Sequence, residues 1–369
     1  MNSLNWHKIL KNPYVKFVLN LMLILFVLYL FLLSIKLMGT SFKMFGKEFA
    51  ENIIAGTSNP LVALFIGILA TSLIQSSSST TSIVVGLVAS GVFPIANAIP
   101  IIMGANIGTT VTNTIVSMAH ITRKLEFKRA LAGSIVHDIF NIMTVIVLFP
   151  LEMKFHFLEK ISSVLARFFV DFGGAKLFNP LSAILNPVID LMKDNINIPA
   201  VLFAISIVLM FTSLIALVKI MRGLIITKAK VLLDYYLFKN DRTSFGVGVV
   251  ITTIVQSSSI STSIIVPMVG SGLLTIRQIF PYTLGANIGT TTTAMMASMA
   301  TANPIAITVG FVHLLFNVFG IIIIYPFRSI PIRIAESIAE FAARSKKNTL
   351  VFITAYCSAY LIPIIIIIT

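Results

Sequence analysis

Gln75-Ser76-Ser77-Ser78-Ser79-Thr80-Thr81-Ser82 interrupts an apolar run, Pro60–Gly91, that is too long for one ordinary membrane span. The interruption leaves two apolar halves that are each too short to cross. The chain repeats the stretch as Gln256-Ser257-Ser258-Ser259-Ile260-Ser261-Thr262-Ser263, again within apolar sequence. Aligned without a gap, Gln75–Met118 and Gln256–Met299 share 23 of 44 residues. A second block, Gly104-Ala105-Asn106-Ile107-Gly108-Thr109-Thr110, recurs as Gly285-Ala286-Asn287-Ile288-Gly289-Thr290-Thr291 at the same offset of 181. With the offset shortened to 176, His137, Phe140, Asn141 and Pro150 match His313, Phe316, Asn317 and Pro326. Identity falls on polar and glycine positions rather than on interchangeable aliphatics, so what is duplicated is a site and not merely lipid-facing helix.

Composition sets the solvent. The 369 residues are 57% hydrophobic and 11% charged, with a mean hydropathy of +0.98. Soluble domains rarely combine so little charge with so much apolar side chain. Runs such as Phe17–Leu33, Val201–Val218 and Ile305–Tyr325 approach the roughly 20 residues that cross a bilayer. The net charge of +14 does not point to nucleic acid, because the cations cluster between apolar runs. The groups are Lys8/Lys11/Lys16, Arg123/Lys124/Lys128/Arg129, Lys219/Arg222/Lys228/Lys230 and Arg328/Arg333/Arg344/Lys346/Lys347. Short basic loops mark the cytoplasmic side. The single Cys357 excludes an intrachain disulfide and a cysteine-rich metal site. The run Phe17–Leu33 is too long for a signal peptide and lacks a cleavage pattern, so it reads as an uncleaved first helix.

These features predict an all-α polytopic membrane protein whose N-terminus is cytoplasmic. Residues 1–38 form a basic tail and a first helix near Val15–Leu37. Residues 39–153 form the first copy: a re-entrant hairpin with its tip at the QSSS run, a helix broken at Gly104–Gly108, and a following helix. Polar, non-helical backbone at membrane depth is tolerated only where protein buries it or a cavity wets it. Residues 154–198 become an external connection, and 199–243 a return helix with a basic cytoplasmic connection. Residues 244–327 form the second copy, again with a re-entrant hairpin and a helix broken at its GANIG block, 328–347 a basic amphipathic cytoplasmic helix, and 348–369 a last membrane helix. Charge counting starts the first copy outside and the second inside, which makes them inverted-topology repeats with a binding site at their interface.

A Ser/Thr/Gln/Asn cluster at mid-membrane can hold an anion through hydroxyls and half-helix N-termini, or a hard cation through oxygen ligands. The anion candidates are Gln75, Ser76, Ser77 and Ser78, with Gln256, Ser257, Ser258 and Ser259. The cation candidates are Gln75, Ser78, Asn106, Thr109, Thr112 and Asp138, with Gln256, Ser257, Asn287, Thr290 and Thr293. Small polar residues also let membrane helices pack closely, but that role does not require two matched sets in the same order. From Gln75 to Ala119 there is no Lys or Arg, so an anion there would be neutralised by co-bound cations and aligned dipoles. His137 and Asp138 are the most conspicuous ionisable pair at this depth, and the second copy keeps His313 but has Leu314 in place of the acid. Two readings stay open for Asp138: a cation ligand, or a structural His–Asp hydrogen bond. No Walker loop, GxSxG or HExxH supports nucleotide-driven or hydrolytic chemistry, and a zinc site lacks ligands at the right spacing.

The ordered set QSSS (75–78), GANIGT (104–109), VHDIFN (136–141), QSSS (256–259) and GANIGTTTT (285–293) resembles the type II sodium–phosphate cotransporters. The resemblance covers roughly Asn59–Glu152 and Lys219–Lys347. It implies a sodium-coupled symporter of inorganic phosphate, with no cofactor beyond the coupling ions and no enzymatic activity. It implies inward transport across the cytoplasmic membrane by an elevator-like or rocking movement. It also places sodium ligands at Gln256, Ser257, Thr290 and Thr293, and phosphate at the paired hairpins. The short connection Lys154–Ile198, without cysteines, points to a bacterial member. Alternatives of other kinds are a symporter of another small anion, such as sulfate or a carboxylate, and an ion channel. The channel would need a continuous polar pore and no hairpins.

Overall fold

The structure is a computed structural model that describes residues 13–45, 51, 54–172, 180–213, 216, 238 and 240–368. The basic tail before Pro13 and the cluster Lys219–Lys230 lie outside the described residues. The described chain is helical. It opens with α1 (Pro13–Met44), which runs past the expected end at Leu37, and continues into α2 (Pro60–Ile74) and α3 (Ser77–Ala89). Then follow α4 (Ile95–Gly108), α5 (Val111–Met118) and the long α6 (Lys124–Phe155). The connection expected between the copies is itself largely helical, with α7 (Phe157–Phe172), α8 (Pro180–Asn195) and α9 (Pro199–Ser213). The second copy supplies α10 (Asp241–Val255), α11 (Ser258–Gly270), α12 (Ile276–Ala300) and α13 (Pro304–Ile324). A 3-10 turn, Tyr325–Phe327, leads to α14 (Ser329–Arg344) and α15 (Lys346–Ile368).

Four stretches among these are long and apolar enough to cross a membrane: Leu21–Ser41, Ile95–Met118, Lys124–Phe155 and Pro304–Phe327. The two QSSS stretches instead join pairs of short helices, α2–α3 and α10–α11. Both junctions are built alike. Gln75 and Gln256 each end a helix in the left-handed region (φ 60° and 54°), and their backbone N–H groups return to Thr71 and Thr252. Ser76 and Ser257 then cap the next helix, accepting from the N–H of Ser79 and Ile260. Across each junction a second hydrogen bond ties the arms together, Thr71 to Thr80 at 2.9 Å and Thr252 to Ser261 at 2.6 Å.

Glycine sets how closely the arms approach the next helix. A Cβ on Gly67 would fall 2.0 Å from the Ile101 carbonyl oxygen, and one on Gly104 would fall 2.0 Å from that of Leu64. The counterparts in the second copy are Gly248 against Tyr282 (2.1 Å) and Gly285 against Phe245 (2.1 Å). Backbone therefore packs on backbone between α2 and α4, and between α10 and α12.

The remaining contacts interleave the copies. Helix α3 packs against α12, and α11 packs against α5, so each hairpin's second arm lies on the other copy's central helix. On the rim, α14 lays a narrow face of Ile332, Ala335, Ala339 and Ala342 on α6, and Lys128 pairs with Glu340 at 3.1 Å. The Lys128 ammonium holds the Glu340 carboxyl below its usual range. Asp241, at the start of α10, bonds Arg328 and the Tyr325 hydroxyl beyond α13. Burial pushes the Asp241 carboxyl up, but these hydrogen bonds and the Arg328 charge hold it below its ordinary value.

One expectation is corrected. The GANIG blocks are not both breaks. In the first copy the helix runs through Gly108 and breaks at Thr109-Thr110; in the second, α12 is continuous through Gly289 and Thr290. The physical reason lies in which carbonyls find outside donors. At the first-copy break, Thr110 N–H returns to Ile107 and Asn113 N–H to Thr110. The carbonyls of Asn106 and Thr109 are then taken by the side chains of Asn141 (2.7 Å) and Ser259 (2.9 Å).

Candidate functional site

Both hairpin tips meet at the break between α4 and α5. From the first copy, Gln75 accepts a hydrogen bond from the Thr112 hydroxyl. From the second, Ser259 donates to the Thr109 carbonyl and Thr262 donates to Asn113 Oδ1 at 2.9 Å. Two remote QSSS motifs thus reach one four-residue stretch. Ser77, Ser78, Ser258 and Ser259 are all buried there, in the first turns of α3 and α11. Neither Gln75–Ser82 nor Gln256–Ser263 contains a Lys or Arg.

The amide side chains lie behind the tips as a ladder. His137 Nε2 is 2.5 Å from Asn287 Oδ1, and Asn287 Nδ2 donates to Asn141 Oδ1 at 2.9 Å. An amide oxygen only accepts, so His137 carries its proton on Nε2. Asn317 Nδ2 donates to Asn106 Oδ1 at 3.2 Å. Asn106 therefore pairs with Asn317, and Asn287 with Asn141, each pair crossing from one copy to the other. Asn106 and Asn287 are consumed by this ladder.

Thr109 and Thr290 each donate to the carbonyl four residues back, at 2.9 and 3.0 Å, which leaves their oxygens able to accept or to ligate. Thr112 is committed to Gln75. The counterparts of that pair differ: Gln256 Oε1 and Thr293 Oγ1 are both buried and have no hydrogen-bond partner among the described residues. Ser257 Oγ accepts from the Ile260 N–H and Thr290 Oγ1 donates to Ala286, so each of these two keeps a lone pair as well. Buried oxygens are costly to leave unpaired, and neutral oxygen ligands suit a hard monovalent cation.

Asp138 takes a different partner. Its Oδ2 accepts from Tyr356 on α15 at 3.1 Å, and its Oδ1 is buried and unpartnered among the described residues. The alternative of a His137–Asp138 hydrogen bond is not what forms, because His137 turns to Asn287 and Asp138 to Tyr356. Beside Asp138, a cavity of about 350 Å³ lies between α2, α5 and α15, lined by Ser72, Thr114, Met118, Phe352, Tyr356 and Tyr360.

Sequence reasoning missed Asn113 and Tyr356. Asn113 has Ala294 as its counterpart, so matching the copies discards it. Tyr356 lies outside both copies, and only its reach to a buried carboxylate singles it out.

A chain whose described residues are helical, with several membrane-length apolar helices and a buried polar centre between two matched helix pairs, is a multi-pass membrane protein. The chain belongs to the Na+/Pi-cotransporter family, whose profile matches residues 30–175 and 198–342. It is similar to sodium-dependent phosphate transport protein 2B of Homo sapiens, 30% identical over 444 residues that cover 93% of this chain and 64% of the relative. It is also similar to sodium-dependent phosphate transport protein 2A of Ovis aries, 33% identical with 87% and 63% covered. The corresponding protein of Rattus norvegicus is 32% identical, with 86% and 62% covered. The chain thus spans less than two thirds of the length of these curated relatives. No solved structure matches it.

Proposed function

We propose that the chain is a sodium-coupled symporter of inorganic phosphate that works by alternating access in the cytoplasmic membrane. The observation that carries this reading is the meeting of both hairpin tips at one helix break, beside the unpaired oxygens of Gln256 and Thr293. Hydroxyls of Ser77, Ser78 and Ser258, with the first-turn N–H groups of α3 and α11, receive the anion, while the Ser259 hydroxyl holds its tip to the Thr109 carbonyl. Gln256, Ser257, Thr290 and Thr293 receive sodium, whose charge makes the anion tolerable in a site without basic side chains. Gln75, Ser76, Asn106, Thr109, Thr112 and Asn287 serve the same centre as hairpin tip, break and ladder. The names of the relatives, which specify sodium and phosphate, support the choice of both ions.

In this reading the hairpins are re-entrant, the two copies have opposite orientation in the membrane, and the N-terminus is cytoplasmic. The domain limits are those read from charge and periodicity. A symporter of another small anion is the second reading, favoured only by the absence of any contact that counts phosphate oxygens.

Labelled phosphate uptake into proteoliposomes decides. Uptake is expected under an inward sodium gradient and not under an equal potassium gradient. Sodium-driven entry of sulfate or a carboxylate, with phosphate excluded, would transfer the site to the second reading.

Asp138 has its own test. Asp138→Asn is expected to change the sodium dependence of uptake, while Tyr356→Phe, which keeps the carboxylate, is expected to leave it unchanged. Equal loss of purified protein in both variants, with normal sodium dependence in what remains, would make the pair a structural clasp.

A further inference from the structure

The start of α6 and the end of α14 meet at a corner that holds more positive charge than it neutralises. Lys124 and Lys128, one turn apart on α6, and Arg344, in the last turn of α14, line a cavity of about 280 Å³ together with Leu125, Glu340 and Ala343. Glu340 pairs with Lys128 at 3.1 Å and stands 3.6 Å from Arg344, so two cations share one carboxylate. Lys124 is exposed and has no ion-pair partner among the described residues. A second cavity, which shares Lys128 and Glu340, sets Arg129 against Glu336 and is balanced. The surplus therefore belongs to the Lys124 side.

The surroundings say what kind of anion the corner suits. At about 100° per residue, α14 has three faces. Its alanine-rich face lies on α6, and Arg333, Glu336, Glu340 and Arg344 make a charged face. On the third side Ile330, Ile334 and Phe341 fall within about 40° of one another, and all three are exposed. An exposed stripe of large apolar side chains beside a charged face is how a helix lies in a membrane interface. Leu125 in the cavity wall and Leu350 near the start of α15 are exposed as well. A free inorganic anion has no use for these side chains. A phosphodiester that carries acyl chains covers them while its headgroup meets the cations.

We propose that the corner between α6 and α14 binds the headgroup of an anionic phospholipid, held by Lys124, Lys128 and Arg344. Basic side chains at a membrane edge attract such lipids, and each contributes a similar share. Glu340 opposes the headgroup, so the site is weaker than its cations alone would make it. A bound lipid ties α14 to the first turns of α6 through a shared anion, beside the direct Lys128–Glu340 pair. The corner includes neither hairpin tip, and its occupancy requires neither sodium nor transport.

The test counts lipids on the whole chain. Protein stripped of lipid in a neutral detergent is titrated with phosphatidylglycerol or phosphatidylcholine, and the first bound lipid is followed by native mass spectrometry. Phosphatidylglycerol is expected to bind about tenfold more tightly than phosphatidylcholine. Lys124→Gln and Arg344→Gln should each weaken it about fivefold. Glu340→Gln should tighten it by a similar factor, although it removes an ion pair, and a folding defect would not give that sign. Lys160→Gln, which removes an exposed cation on α7, should change nothing. Equal affinity for the two lipids, unchanged binding in the Lys124→Gln/Arg344→Gln double variant, or weaker binding in Glu340→Gln would overturn the site. Displacement of the lipid by inorganic phosphate, but not by chloride at equal ionic strength, would overturn the lipid assignment in favour of a free anion.

Discussion

Replacing Gly248 by alanine is expected to lower the yield of folded protein sharply, while Gly246→Ala on the same helix is expected to be silent. A Cβ at position 248 would lie 2.1 Å from the Tyr282 carbonyl oxygen, and real Cβ atoms essentially never come within 3.0 Å of another heavy atom. The obstacle is backbone in the middle of α12, so no side chain can rotate away. Helices α10 and α12 would have to part along their whole contact, and the polar tips they hold would part with them. Overpacking of this kind costs about 3 kcal/mol or more. Against a marginal stability that lowers the folded-to-unfolded ratio by roughly 100-fold. A Cβ at position 246 meets nothing within 4 Å. Gly104→Ala, against Leu64, should behave as Gly248→Ala does. The check is the yield of monodisperse protein by size-exclusion chromatography in detergent; a normal peak for Gly248→Ala would mean that the two helices are not seated backbone to backbone.

The second large effect concerns the ion. Gln256→Ala and Thr293→Val should each raise the sodium concentration for half-maximal phosphate uptake at least tenfold, equivalent to about 1.4 kcal/mol of lost binding. Thr293→Val is the sharper probe, because it keeps shape and removes one oxygen that has no hydrogen-bond partner among the described residues. The two effects should not add fully, since ligands of one ion act on the same event. Phosphate half-saturation at saturating sodium should move much less. Should sodium half-saturation stay at the wild-type value in both variants, this oxygen set is not the ion's.

Much of this organisation could be read from residue order. The duplication, the hairpin tips at Gln75 and Gln256, the amphipathic α14 and the membrane class all follow from polarity patterns that burial must respect. The helix break was harder. Gly104–Gly108 looked like its cause, yet those glycines make close contact with α2, and the break sits where Asn141 and Ser259 can supply donors. Two copies of one sequence adopt different backbone conformations, so local propensity could not have distinguished them. Asp138 was legible as a buried acid, but its partner Tyr356 was not, because nothing in the spacing ties position 138 to α15. The helices α7 and α8 were hidden by their mixed charge, which resembles that of a surface connection.

The reciprocal packing of α3 on α12 and of α11 on α5 has a consequence for what counts as a unit. Each half lends an arm to the other, as subunits do across an isologous dimer interface. The two larger clusters of buried apolar side chains draw on both halves. The connection raises the effective concentration of one half for the other, and it also joins their packing, since α7 lies on α13 and Leu158, Leu185 and Leu202 enter the shared core. In that sense the chain is a dimer of half-proteins whose association has been made intramolecular, and the binding centre proposed above lies at their interface.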